Sequence, residues 1–381
     1  MIRTARHVGT GAAMLLSALA LSALGVAHAQ ARGQAEDRSA LEPSSPALQR
    51  VVRNLVASGA PGAVAVVRTT KGTRRAAAGL ARIQPSDRMQ ATARFRIASV
   101  TKAFVATVVL QLAAERRLRL DDRVERWLPG LLPNGGAITL RQLLGHTSGL
   151  FDYDEDEAWS RSRIANPARE WSPRELVAIS TSHRPAFAPG TAWGYSNTNY
   201  VVLGMVVESV TGERLDQVLR ERIIRRLRLG ATSYPTRTAM PEPAAHGYVG
   251  ARPGLPIPPG TKLDVTTLLS PSAWGAGQMV SNGDDLTRFL SALLGGRLLP
   301  AKQLAAMKAG VKDAEYGLGL MISYTRCGTA FGHRGDIPGY RTIAWSTANG
   351  RRAAAVLVNI DDTRVPQGKL ESAAVTALCA G

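Results

Sequence analysis

The chain has 381 residues, 45% hydrophobic and 20% charged. That is enough to bury one large core or two intertwined ones, and it excludes a disordered or fibrous chain. The formal charge is +18, which suits anionic partners such as cell-wall polymers or lipid surfaces, but the basic residues are scattered, carry no aromatic-basic module and do not point to nucleic acid.

The N-terminus has a basic start at Arg3 and Arg6, an apolar run over residues 11–26, and small residues in Ala27-His28-Ala29. This is the layout of a secretory signal peptide, residues 1–29, cut after Ala29. A membrane anchor is the other reading, but the run is short for a bilayer span of roughly 20 residues, so no stable insertion is expected after cleavage. Residues 30–44 are polar and read as a flexible leader. Export predicts a periplasmic or secreted protein and a disulfide between Cys327 and Cys379, the only two cysteines; two buried free thiols are the alternative.

From Pro46, apolar residues at helical spacing (Leu48, Val51, Val52, Leu55) predict a helix. Residues 63–68 and 75–81 read as a hairpin with its turn at Lys71-Gly72. Residues 95–97 form a short strand-like lead into Ser99. An almost wholly apolar helix follows, through Ala103, Val105, Val108, Val109 and Leu112, and such a helix belongs in a core. Residues 121–261 are mainly helical in pattern, clearest at 173–180, 200–210 and 213–227, and end in a proline-rich stretch. A helix at 284–294 is capped by Ser281 or Asn282 and stopped by Gly295-Gly296. Strand-like runs follow at 316–324, 329–332, 340–346 and 352–360, and a closing helix at 367–378. The expected architecture is α/β (α+β): an antiparallel sheet flanked by N- and C-terminal helices, from residues 45–120 and 262–381, with an all-helical domain inserted at 121–261.

Three short motifs carry chemistry. In Ser99-Val100-Thr101-Lys102 the serine and lysine sit at i and i+3 at a helix start, so they share a face. A serine hydroxyl needs a neighbour to take its proton, and a lysine desolvated in an apolar core can be that neighbour. Arginine could not. In Tyr195-Ser196-Asn197 the phenol can carry a proton to a leaving group, and the amide can orient a substrate. In His333-Arg334-Gly335-Asp336, a glycine on a strand edge would admit substrate, and His333 and Arg334 are candidate contacts. The backbone N–H groups of Ser99 and Asp336 are expected to form an oxyanion hole. The acidic run 152–157 reads as a solvated loop near the cleft. His246 and His333 do not make a zinc pattern, and no metal or organic cofactor is expected.

The three motifs, in this order, resemble the serine β-lactamases and penicillin-binding proteins. Supporting stretches are 95–102 (FRIASVTK), 143–150 (LLGHTSGL), 194–197 (GYSN), 275–281 (GAGQMVS), 316–320 (YGLGL) and 332–340 (GHRGDIPGY). The chain is similar to the branch that holds class C β-lactamases, secreted D-Ala-D-Ala carboxypeptidases and related esterases; residues 325–328 and 378–381 look most like the carboxypeptidases. That resemblance implies acyl transfer through a covalent serine ester, with a small peptide, ester or β-lactam as substrate and peptidoglycan as a possible polymeric one. His146 falls in a family landmark that is mainly structural. One departure stands out: Arg334 and Asp336 occupy positions where the carboxypeptidases carry threonines. Arg334 could clamp a terminal carboxylate, whereas an inward Asp336 would repel it.

Overall fold

The computed structural model describes residues 45–251, 257–258, 260–268, 272–361 and 365–380. The expected signal peptide and leader lie outside these residues, as does most of the proline-rich stretch. Among the described residues no helix is long and apolar enough to cross a membrane.

Residues 45–381 form one compact unit. Its centre is a seven-stranded sheet. Strands β1 (Gly62–Thr69), β2 (Gly72–Arg82) and β3 (Asp87–Arg88) come from the N-terminal part. Strands β8 (Met321–Thr325), β9 (Gly328–Ile337), β10 (Tyr340–Thr347) and β11 (Ala353–Val358) come from the C-terminal part. The order is β3-β2-β1-β11-β10-β9-β8, and every neighbouring pair is antiparallel. The two ends of the chain meet where Val64 pairs with Leu357. Small pairings complete the strands: β4 (Phe95–Arg96) with β7 (Val280–Ser281), and β5 (Tyr248–Gly250) with β6 (Lys262–Asp264) and β12 (Ile360–Asp361).

Strand side chains alternate between faces. Ala63, Ala65 and Val67 of β1 face helices α1 (Pro46–Ala57) and α6 (Gln367–Cys379), with Leu55, Leu370 and Leu378. Val64 and Val66 face the other way, into the larger core that holds α2 (Thr101–Ala114) and α5 (Gly283–Leu294). Helix α2 is buried from Thr101 through Leu112, as its apolar sequence requires. Phe104 stacks on Phe289 of α5 with ring centroids 3.7 Å apart. Asn282 caps α5, accepting from the Asp285 N–H. Between the two halves run α3 (Pro173–Thr181), α4 (Asn197–Thr211) and several shorter helical turns.

Strand β5 (Tyr248–Gly250) falls inside the segment expected to be all-helical, and two further details depart from the sequence expectation. The run from Tyr316 is not strand until Met321. Gly319 takes φ +84°, and a Cβ there would lie 2.3 Å from that of Ala106; residues 316–320 therefore turn against α2 instead of extending. The strand expected at 329–332 continues through Ile337, so all of His333–Asp336 lies on β9. Cys327 and Cys379 are bonded, tying the β8–β9 turn to the end of α6, with Cα atoms 5.6 Å apart.

Candidate active site

Ser99 lies on a single tight turn, Ala98–Val100, that leads into α2. The β4–β7 pairing and the Ile97 N–H to Met279 carbonyl bond at 3.0 Å pin the chain just before it. Ala98 takes φ +46°, a left-handed conformation costly for a residue with a Cβ. Ser99 remains partly exposed, while Lys102, one turn on, is wholly buried.

The lysine amine is held at three points. Its Nζ lies 2.9 Å from Ser99 Oγ, 2.7 Å from Asn197 Oδ1 and 2.8 Å from the Ala276 carbonyl. An ammonium would donate to all three. A neutral amine can donate to Asn197 and Ala276 and present its lone pair to the Ser99 hydroxyl. Both protonation states are therefore satisfied without side-chain movement. Burial pulls Lys102 down to about 7, against the opposing pull of Asp152 and Asp154.

Tyr195 and Asn197 precede and open α4. Burial pushes the Tyr195 phenol well above the usual tyrosine range, and the nearby Ser99 hydroxyl opposes that shift. Lys102 Nζ lies 4.9 Å from the Tyr195 ring centre. His146 supports this loop from behind. Its ring stacks on Tyr195 at 4.3 Å, and its Nδ1 accepts from the Ser196 N–H at 3.2 Å. Its carbonyl accepts from the Gly194 N–H at 3.0 Å.

Strand β9 supplies the opposite wall. A Cβ on Gly335 would lie 2.2 Å from the Ile97 carbonyl oxygen and 3.1 Å from Ala98 Cβ. The close approach that needs this glycine is thus made by the protein's own backbone, not by substrate, and Asp336 and Ser99 both line the cavity. His333 is buried and faces inward. Its Nδ1 pairs with the Arg334 carbonyl, and its Nε2 faces the Tyr316 hydroxyl at 3.1 Å. Burial, then the charges of Lys102 and Arg334, lower it to about 3. This arrangement suits a neutral imidazole whose lone pair is already taken. Arg334 is exposed on the other face of the strand and does not line the cavity. Asp336 pairs with Arg341 at 2.9 Å.

The cavity has a volume of about 600 Å³. Ser99, Asp154, Arg163, Asn197 and Asp336 are among its polar lining residues; Tyr153, Trp159, Ile164 and Leu263 are among its apolar ones. The acidic run 152–157 is not uniformly solvated. Asp154 and Glu155 are exposed, but Asp152 is buried and accepts from Asn197 Nδ2 at 3.0 Å. Sequence reasoning missed it because the acidic residues that follow it, Asp154 and Glu155, are exposed.

A model of the Beta-lactamase family matches residues 48–377, and the chain belongs to that family. Among solved structures, a D-stereospecific amidohydrolase from Streptomyces superposes with a TM-score of 0.79 at 39% identity, covering 89% of this chain and 100% of the other. A D-amino acid amidase from Ochrobactrum anthropi superposes with a TM-score of 0.78 at 29% identity, covering 87% and 97%. Among curated relatives, an esterase of Burkholderia gladioli is 33% identical over 261 residues, 61% of this chain and 65% of the esterase. The chain spans between 59% and 67% of the length of the first curated relatives it matches.

Proposed function

We propose that this chain is a serine hydrolase that cleaves amides of D-amino acids through an acyl-Ser99 intermediate. The single observation that carries the chemistry is the Lys102 amine 2.9 Å from Ser99 Oγ, buried and hydrogen-bonded in either protonation state. Neutral Lys102 takes the Ser99 proton as Oγ attacks the substrate carbonyl. The backbone N–H groups of Ser99 and Asp336 receive the developing oxyanion. Tyr195, whose ring centre lies 4.9 Å from Lys102 Nζ, passes a proton to the departing amine. Water then attacks the ester, and the serine is released. No metal or organic cofactor enters these steps.

The substrate choice rests on the cavity and on the likeness to the two amide hydrolases. The apolar lining suits a large side chain on the acyl residue. D-Ala-D-Ala carboxypeptidase action on cell-wall peptides is the second reading, because the charge of Arg334 reaches Tyr195 and His333 and could meet a terminal carboxylate. The esterase relative supports ester cleavage by the same machinery. Export is proposed with this function, supported by the N-terminal pattern and by the Cys327–Cys379 bond.

The test is steady-state turnover of D- and L-phenylalaninamide, an N-acylated D-Ala-D-Ala peptide, a short p-nitrophenyl ester and a chromogenic cephalosporin. The expected order places the D-amide well above its L enantiomer and above the peptide. Faster release of D-alanine from the peptide would replace the amidase reading with the carboxypeptidase one. Turnover unaffected by Ser99→Ala would end both.

A further inference from the structure

We infer that Asp152 is a positioning residue for the general base: through Asn197 it fixes which end of an amide faces Lys102. The inference rests on the reading of Ser99 and Lys102 given above. Three links form an unbroken chain. Asp152 Oδ2 accepts from Asn197 Nδ2 at 3.0 Å, Asn197 Oδ1 accepts from Lys102 Nζ at 2.7 Å, and Lys102 Nζ meets Ser99 Oγ at 2.9 Å. Oδ1 of the same carboxylate accepts from the Asp154 N–H at 3.2 Å.

An asparagine amide has a donor end and an acceptor end of nearly equal shape. Left alone it can turn over and present its NH₂ to the lysine, where two donors would face each other. A carboxylate only accepts, so Asp152 holds the NH₂ end and leaves the carbonyl for Lys102. Asp152 is only 8% exposed, and a buried carboxylate without a purpose would be costly. Its position is local to the site: the backbone N–H of Tyr153 bonds Thr198 Oγ1 at 3.3 Å, and the Phe151 carbonyl accepts from Thr198 Oγ1 at 2.8 Å. The first turn of α4, which bears Asn197, and the loop that bears Asp152 are thereby stitched together.

The charge acts in the same direction as the hydrogen bond. Groups facing Lys102 are Ser99 from its own turn, Tyr195, Asn197 and Tyr200 from α4 and its lead, His146 and His333 from two other segments, and Asp152 and Asp154 from the acidic loop. Both histidines are held neutral by burial, so the two aspartates are the anions that counter the burial of the lysine, Asp152 foremost. Asp152 in turn faces Asp154 and Lys102, and burial raises it to about 6.

The test is the titration of Lys102 itself, read by NMR of protein labelled with ¹³C at lysine Cε. The chain has seven lysines, and Lys102→Arg identifies the signal. Replacing Asp152 by Asn or Ser removes the charge, so the Lys102 midpoint should fall by about one pH unit. The acidic limb of kcat/KM should move down with it, and kcat should drop with KM little changed. In the wild type, protonation of Asp152 should appear as a second, lower inflection of the Lys102 signal, a reading that needs no variant to fold. An unmoved midpoint in a folded variant, or a single inflection in the wild type, overturns the inference. Ser99→Ala tests the functional reading separately, because full turnover by that variant would end it whatever the lysine does.

Discussion

Two buried bases flank Ser99, and they behave in opposite ways. Lys102 and His333 are both removed from water, and burial lowers both. On the lysine side the surroundings accept: an amide oxygen, a backbone carbonyl and, behind them, a carboxylate. On the histidine side the one acceptor is the Arg334 carbonyl at Nδ1, and no carboxylate stands behind it. His333 has a phenol at Nε2 and two positive side chains nearby, so it falls to about 3 and stays neutral. Burial alone does not make a base useful near neutral pH; the polarity of what replaces water decides which group titrates there.

Several measurements would break or sharpen that contrast. The largest effect is expected at Lys102. Lys102→Arg keeps a positive charge but cannot yield a neutral base, so kcat/KM should fall by about a thousandfold or more, within the general-base range. Residual activity near wild type would move the base elsewhere. Next is Tyr195→Phe, which keeps the ring stacked on His146 and removes the proton carrier. A loss of about a hundredfold is expected, larger for amides than for activated esters, whose leaving groups need no proton. Equal losses on both substrates would contradict that role.

On the other side of Ser99, Gly335→Ala tests the packing of β9 against the Ile97 turn. The added Cβ meets backbone at 2.2 Å, so the melting temperature should fall, with an overpacking cost of about 1–3 kcal/mol, and kcat should fall with it. His333→Gln should change kcat/KM little at pH 7. Its signature lies in stability. The folded-state value of His333 is depressed from 6.5 to about 3, so the unfolded chain takes up a proton that the folded one refuses. Stability is then full above about pH 6.5 and declines as pH falls toward 3. The variant should show a shallower acid decline, measurable by urea unfolding at several pH values. An unchanged slope would mean that His333 is not held neutral.

Some of this site could be read along the chain. Ser99 and Lys102 are one helical turn apart, and the apolar run that follows them announces a buried helix. Spacing of that kind is local, so it survives without knowledge of the rest. Tyr195 and Asn197 lie nearly a hundred residues away and were legible through family resemblance, not through geometry. Asp152 was hidden inside a run of exposed acids. What sets it apart is contact with Asn197, 45 positions later. The neutrality of His333 was hidden too, because it depends first on burial and then on the charge of Lys102, and neither is visible in the residues around position 333.

The sequence by itself determined the periodicities: the strands at both ends, the buried helix, the pairing of Ser99 with Lys102 one turn on, and the two cysteines. These are properties of short windows, governed by side-chain alternation and helical repeat. The tertiary structure alone decided which titratable groups are dry, which are paired and in which protonation state they rest. Those properties depend on solvent exclusion and on partners brought together from distant parts of the chain, and no local window contains them.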